Sequence, residues 1–285
     1  MDNKTILAID VGTGMVKVLA GRQAADGSVE LLGSGAAPTA GYARGVITDI
    51  NALAHSIRQA VDCVVIAAEC QTTDSIYLGI SGSMLVAQNS VGSVAPALPG
   101  TVTEADVDRA CKAAVFTVEN DEYEVLHVLP AKEIAAQPGA ALEVQTHIVA
   151  ASKTLLHNLT SALGNIGIQL NGIVAGGIMA AEGMKNELPG QPSNYIFIDI
   201  GAGSADISVY AGGCMISSAS LPLGGDYITN DLMQGLSVGR AHAEEIKRYY
   251  SRLSPNLRNQ GVVLDCNDIL SHCWIITGKF LNLFI

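Results

Sequence analysis

Charge and aromatic rings are both scarce in this chain. Charged residues make up 15% of its 285 residues and aromatic ones 5%, with Trp274 the one tryptophan. A chain this poor in charge and this apolar is not a disordered one. Positive charge is the scarcest: 16 Lys and Arg stand against 27 Asp and Glu, a formal net charge of -11. The generic attraction that draws proteins to phosphate backbones is therefore missing, and no nucleic-acid partner is expected. The six cysteines, at 63, 70, 111, 214, 266 and 273, form no C-x-x-C pair. They read as reduced, mostly buried thiols of a cytosolic protein. The apolar run Ile6 to Ile9 stops at Asp10 and is too short for a signal-peptide core. Residues 154–181 carry no charge, but Asn158, Asn165, Gln169, Asn171 and five glycines interrupt them, as befits a buried segment rather than a membrane span. There is no G-x-x-x-x-G-K-[ST], no dinucleotide fingerprint with its third glycine and no G-x-S-x-G elbow.

Apolar residues, at 49%, and 30 scattered glycines are what the chain has in quantity, and together they read as a glycine-punctuated α/β protein of one large domain or two medium ones. Lys4 to Ala20 predicts two short strands around a tight turn at Gly12-Thr13-Gly14. Leu53, Ala54, Ile57, Val61, Val64 and Val65 recur at helical spacing after Ile50, with Thr48 or Asp49 as the cap. A strand follows at Ser75 to Ile80, and Gly92 to Gly100 reads as loop. Thr103 and Asp106 resemble a capping box opening a helix with the stripe Val107, Ala110, Cys111 and Ala114. Strands are predicted at Val125 to Leu129, ending at Pro130, and at Leu142 to Ala150; Leu155, Leu156, Leu159 and Leu163 predict a helix that stops at Gly164. The module within residues 84–163 is expected to interrupt a larger domain.

The strongest internal signal is a repeat. Ala8-Ile-Asp10-Val-Gly12-Thr-Gly14 recurs as Phe197-Ile-Asp199-Ile-Gly201-Ala-Gly203, each continuing into a second strand-like run. A turn of glycine and small residues aims several backbone N–H groups at one spot with no Cβ in the way, and such a nest holds phosphate oxygens. An aspartate just before it is badly placed for phosphate but can hold magnesium through water. Two such turns facing across a cleft would clamp the β- and γ-phosphates of a nucleotide, with Asp10 and Asp199 near the metal and Lys17 as a cation. Asp206 reads either as a further magnesium carboxylate or as an outward polar residue of its strand. His127 and His147 fall in predicted strands and His55 and His157 on helices, a scatter that does not make a metal site.

Asp10-Val-Gly-Thr-Gly-Met-Val-Lys17 resembles the first phosphate motif of the actin and Hsp70 superfamily, and Ile198-Asp-Ile-Gly-Ala-Gly-Ser-Ala-Asp206 its second. Within it the sequence is most similar to the FtsA family of bacterial cell-division proteins. That likeness is carried by Arg44-Gly-Val-Ile-Thr-Asp-Ile50, Ser75-Ile-Tyr-Leu-Gly-Ile-Ser-Gly82, Val125-Leu-His-Val-Leu-Pro130, His147-Ile-Val149 and Leu223-Gly-Gly-Asp-Tyr-Ile-Thr-Asn-Asp231. The resemblance runs from about residue 5 to 250. It implies an α/β, actin-like ATPase (ribonuclease H-like) fold: subdomain 1A at residues 1–83, an inserted FtsA-type subdomain 1C at 84–163, the return of 1A at 164–195, and a second domain (2A/2B) at 196–285, incomplete. ATP and Mg2+ are the implied ligands. The resemblance gives Gly12, Thr13, Gly14, Met15, Lys17, Gly201, Ala202, Gly203, Ser204, Gly224 and Gly225 to the nucleotide and Asp10, Asp199 and Asp206 to the metal. Glu244 and Lys247 resemble the E-x-x-K pair that Hsp70 relatives place against sugar and base, and their spacing puts both on one helix face.

The implied role is a scaffold on the cytoplasmic face of the inner membrane at the division site. It polymerises into filaments, binds the C-terminal tail of the tubulin-like protein FtsZ near the segment after Asp226, and recruits later division proteins, with 1C helping protomers meet. Past Tyr250 the pattern is lost. Ile275-Ile-Thr-Gly278 resembles only the opening of the third, adenosine motif, with Lys279 and Phe280 where small residues should follow. No linker and amphipathic membrane helix follow, so the chain is expected to be a C-terminally shortened relative. Ile269 to Ile285 is apolar with one lysine and lacks a basic face, so an exposed apolar end is expected rather than direct membrane binding. Ile173 to Met179, where actin and Hsp70 place a water-orienting side chain, offers none, so at most weak ATPase activity is expected. Two rivals are a small-molecule kinase of the same superfamily, which needs an acid or base aspartate facing a substrate, and a pilus-assembly or chaperone-like ATP-binding adaptor.

Overall fold

The computed structural model describes residues 5–251, apart from 25–27, 44, 68–73, 99–100, 135–140, 186–187 and 189, together with 262–266 and 270–277. Alternation of apolar residues builds the first sheet. Leu7, Ile9 and Val11 of β1 (Thr5–Val11) and Val16, Val18 and Ala20 of β2 (Met15–Gln23) are buried on its helix-covered side. The two strands pair antiparallel with Asp10 opposite Lys17, and β3 (Val29–Pro38) extends the meander. After the short pair β4 (Tyr42–Ala43) and β5 (Val46–Ile47), Asp49 Oδ1 accepts the N–H groups of Asn51 and Ala52, both at 3.0 Å, and opens α1 (Ile50–Ala67). Leu53, Ala54, Ile57, Ala60, Val61 and Val64 of α1 are buried in the core shared with β1 and β2, each larger one contributing about 1.5–3 kcal/mol. Strand β6 (Ser75–Ile80) then lies parallel to β1.

The turn between β4 and β5 and the loop after β6 touch backbone to backbone. Gly45 and Gly82 have φ of +76° and +101°, and a Cβ on Gly45 would stand 2.5 Å from the Gly82 Cα. Only glycine tolerates both the positive φ and that approach.

The insertion forms its own sheet, in the order β7-β9-β8, from β7 (Leu85–Val94), α2 (Glu104–Val115), β8 (Tyr123–Ile134) and β9 (Leu142–Ser152). Thr103 and Asp106 make the capping box expected for α2. Two boundaries differ from the sequence reading. Gly92 belongs to β7, whose pairing with β9 runs on to Val94, and β8 passes through Pro130. Because β8 is an edge strand and its register shifts between Pro130 and Lys132, the missing N–H costs no ladder bond. Helix α3 (Lys153–Asn165), counted with the insertion in the sequence, sends Leu155, Leu156, Leu159 and Leu163 into the core of the first sheet. The separate layer of the insertion thus ends at Ser152.

Strand β10 (Gly172–Ala175) completes the first sheet in the order β10-β6-β1-β2-β3. From it α4 (Gly176–Met184) leads to the second sheet, burying Ile178 and Ala181 against Tyr195, Phe197 and Tyr210. Here β11 (Tyr195–Ile200), β12 (Ala205–Ala211) and β13 (Cys214–Leu221) repeat the antiparallel meander. Helices α5 (Gly225–Leu236) and α6 (Arg240–Ser251) follow, then β14 (Val262–Cys266) and β15 (Leu270–Thr277), in the order β13-β12-β11-β15-β14. Strand β15 lies parallel to β11 as β6 does to β1, whereas the outer strand β14 runs antiparallel to it. Of the stretch expected to be an exposed apolar end, Leu270–Thr277 is an inner strand of this sheet, and residue 269 and Gly278 onward lie outside the described residues. The repeated meander with a parallel fourth strand is the actin-like fold that the sequence implied. Of the cysteines whose burial is described, Cys63 is exposed and Cys111 and Cys214 are half-buried, so the expected burial does not hold for these three.

Candidate functional site

Each repeat folds as a hairpin closed by the same bond. Gly12 N–H donates to Met15 O at 3.1 Å, and Gly201 N–H donates to Ser204 O at 2.8 Å. Their outer supports differ. Thr39 holds the first turn, its Oγ1 donating to Gly12 O at 2.7 Å and its N–H to Gly14 O at 3.2 Å. The start of α5 holds the second: Gly225 N–H donates to Gly201 O at 3.0 Å and Asp226 N–H to Ala202 O at 2.7 Å.

The two turns meet tip to tip. A Cβ on Gly14 would stand 3.5 Å from Ala202 Cβ, and one on Gly203 would stand 2.8 Å from Thr13 Cγ2. The space that a side chain at 203 would fill is already occupied by Thr13. Thr13 Oγ1 is itself buried and has no hydrogen-bond partner, an unsatisfied hydroxyl of the kind that native sites reserve for a ligand or water.

Behind the turns lies a patch of charge. The β1–β2 register sets Lys17 opposite Asp10, while the β11–β12 register sets Asp206 opposite Asp199. Burial pushes Asp10 from its ordinary 3.8 up to about 6, with Lys17 pulling it down and Asp199 and Asp206 pushing it further up. By surface area Asp10 is nonetheless exposed, so solvent screens part of that shift. Burial and Asp206 raise Asp199 against the pull of Lys17. Burial also raises Asp206, against hydrogen bonds from Ser220 and Ser81. The start of α4 closes this patch. A Cβ on Gly176 would stand 3.0 Å from Ser81 Oγ and 3.6 Å from Asp10 Oδ1, and one on Gly177 would meet Asp206 Cβ at 2.5 Å. Among the described residues no three His, Cys, Asp or Glu side chains are grouped closely enough to ligate one metal ion, so these aspartates can reach an ion only one or two at a time or through water.

The remaining candidates gather on α5 and α6. Lys247 Nζ donates to Glu244 Oε1 at 2.7 Å, to Thr229 Oγ1 at 2.7 Å and to Gly225 O at 3.2 Å, and Thr229 Oγ1 also donates to Glu244. Partial burial opposes it, but these bonds hold the Glu244 carboxyl below its ordinary value. Gly225 lies beside both the pair and the second turn, and Gly224 packs on that turn with only 2.6 Å between its missing Cβ and Gly201 O.

All sixteen candidates therefore lie on the two hairpins or on the α5–α6 unit behind the second one. Four neighbours were missed: Tyr42, whose hydroxyl donates to Ser81 O at 2.5 Å, Ser81, Ser220 and Thr39. Ser81 lies in the stretch Ser75 to Gly82 that carries the family likeness; the other three give no local signal, because long-range pairing brings them in.

Comparison with known proteins adds a separate line of support. The family model for cell division protein FtsA matches residues 196–269. Cell division protein FtsA of Escherichia coli (strain K12) is 27% identical over 256 residues, covering 86% of this chain and 60% of the relative. That of Pseudomonas aeruginosa is 29% identical over 268 residues, covering 90% and 64%. The chain thus spans about 60% of the length of the Escherichia coli relative. Among solved structures, a chain of the PilM-PilN type IV pilus biogenesis complex is 18% identical and superposes with a TM-score of 0.66 over 89% of this chain and 72% of that one, a likeness of fold. The paired hairpins, the inserted sheet and these relatives agree in making the chain similar to the FtsA family of cell division proteins.

Proposed function

We propose that the chain is an ATP-binding, actin-like scaffold of cell division. The observation that carries this is the meeting of two glycine turns over three carboxylates and one lysine. The residues fit the ligand. Thr13 offers an unsatisfied hydroxyl, and with the Gly12 and Gly201 N–H groups closing the turns, the tips at Gly14 and Gly203 present main chain without a Cβ to phosphate oxygens. Glu244 and Lys247 stand beside the second turn for the sugar and base. Asp10, Asp199 and Asp206 outnumber Lys17 by two charges, so a triphosphate would be repelled without a cation, and magnesium would supply positive charge between carboxylates and phosphates. Asp206 is then read as a metal carboxylate.

Thr13 and Gly203 are already in contact, so phosphate uptake between the turns requires the hairpins to part. Nucleotide then binds the open and closed arrangements differently and acts as a conformational and assembly ligand. Gly176 and Gly177 carry no side chain at the start of α4, beside Asp10 and Asp206, where a hydrolytic water would need orienting, so binding with at most weak turnover is expected. The scaffold role assigns the FtsZ C-terminal tail to the segment after Asp226, where Tyr227, Ile228 and Leu236 are exposed, and assigns protomer contacts and later division proteins to the inserted sheet. No described helix is long and apolar enough to cross a membrane; attachment to the cytoplasmic face of the inner membrane would be peripheral.

Calorimetry tests the core of this reading. Wild type should bind Mg-ATP, and Asp10→Ala and Asp199→Ala should each abolish the magnesium-dependent part. Unchanged affinity in both variants overturns the clamp. Binding of an FtsZ tail peptide separates the division scaffold from a pilus-type adaptor, and phosphorylation of a metabolite would point to the kinase.

A further inference from the structure

Edge strand β13 is fastened to the first half of the molecule at three alternate residues. Asn89 Nδ2 donates to Ile216 O at 3.0 Å, His147 Nε2 lies 2.8 Å from Ser218 Oγ, and Gly82 N–H donates to Ser220 Oγ at 2.8 Å. Alternate residues share one face of a strand. The β12–β13 register places Ser218 opposite Ser208 and Ser220 opposite Asp206. These four line one side of a cavity of about 260 Å³, whose other walls include Val86 and Ala87 of β7, Val149 of β9 and Gly177 of α4.

The directions of these bonds follow from what each atom can do. A carbonyl only accepts, so the Asn89 atom facing Ile216 O is the amide nitrogen. Asn89 Oδ1 therefore faces His147 Nδ1, at 2.6 Å, and that nitrogen carries the proton. His147 is 2% exposed, and burial disfavours its charged form, so Nε2 accepts from the Ser218 hydroxyl. Ser220 Oγ accepts from Gly82, which leaves its single hydrogen for the Asp206 carboxylate. The Ser81 hydroxyl reaches the same carboxylate from the opposite half, with its own carbonyl pinned by Tyr42.

We propose that Ser220 and Ser81 are positioning residues for Asp206, and that Asn89 and His147 of the inserted sheet set the strand from which Ser220 acts. The inserted sheet and the cleft are then linked: whatever moves Asp206 pulls on β13, and whatever shifts the sheet under β13 reorients the carboxylate. This rests on the nucleotide reading above, since it makes Asp206 the carboxylate that serves the metal.

The test uses the full chain, with calorimetry of ATP binding in magnesium and in EDTA. Ser220→Ala should weaken binding about tenfold in magnesium, the usual cost of removing a group that orients a metal-holding carboxylate, and should leave binding in EDTA unchanged. Ser220→Thr, which keeps the hydroxyl, should restore it. Asn89→Ala is the more telling variant, because Asn89 is exposed and lies outside the cleft. It should weaken binding about threefold in magnesium only, and hydrogen exchange should show faster opening at residues 214–221. Equal weakening with and without magnesium, or no change in either variant, overturns the proposal while the nucleotide reading stands. A wild-type chain that takes up no ATP under either condition overturns both.

Discussion

The two hairpins share a turn bond and differ in almost everything that surrounds it. In the first, Asp10 faces a lysine across the ladder, and a threonine side chain braces the turn from β3 onward. In the second, Asp199 faces another aspartate, and the first amides of α5 brace the turn. Duplicated geometry with unlike partners makes the first hairpin close to neutral and the second strongly negative. The cleft therefore has a polarity that neither motif reveals alone, since the lysine must serve carboxylates on both sides.

Glycine offers the sharpest way to break the comparison. Gly203→Ala places a methyl group into the Thr13 side chain and should cost about 1–3 kcal/mol, the range for overpacking a filled site. Gly14→Ala meets Ala202 at an ordinary 3.5 Å and should change stability by less than about 0.5 kcal/mol. Urea unfolding of both variants checks this, and equal costs would mean that the tips do not touch as described.

The charge difference is probed by Asp10→Asn in EDTA without nucleotide. With the folded-state pKa of Asp10 near 6 and an unfolded value near 3.9, the folded chain holds the extra proton between those values. Its contribution to stability therefore falls as pH rises through that window. Asp10→Asn should raise the Tm relative to wild type by more at pH 7 than at pH 4.5, and a constant difference across the range would refute it. The smallest effect belongs to the braces: Thr39→Val removes one bond to Gly12 O and should cost about 1 kcal/mol in the same unfolding assay.

Much of this was legible locally. The Asp-x-Gly-x-Gly repeat located both hairpins, the Thr103 and Asp106 spacing located a helix start, and Glu244 and Lys247 pair as their spacing required. What the sequence hid depends on pairing across the molecule. That Lys17 opposes Asp10 while Asp206 opposes Asp199 follows from register, which a short motif does not encode. Ser220 becomes a partner of Asp206 only once β13 is laid beside β12, and Thr39 reaches Gly12 only when β3 joins the sheet. Pro130 misled as a strand end because its tolerance depends on β8 being an edge, which is a property of the sheet and not of the residue.

The contact of Gly45 with Gly82 carries an evolutionary corollary. Where two main chains press together with no side chain between them, neither partner can be exchanged for a larger residue by compensating at the other, because there is no volume left to trade. Ser81 hangs from that joint, so the contact fixes the height at which this hydroxyl stands beside the aspartates. A homologue that lost either glycine would have to rebuild both loops together.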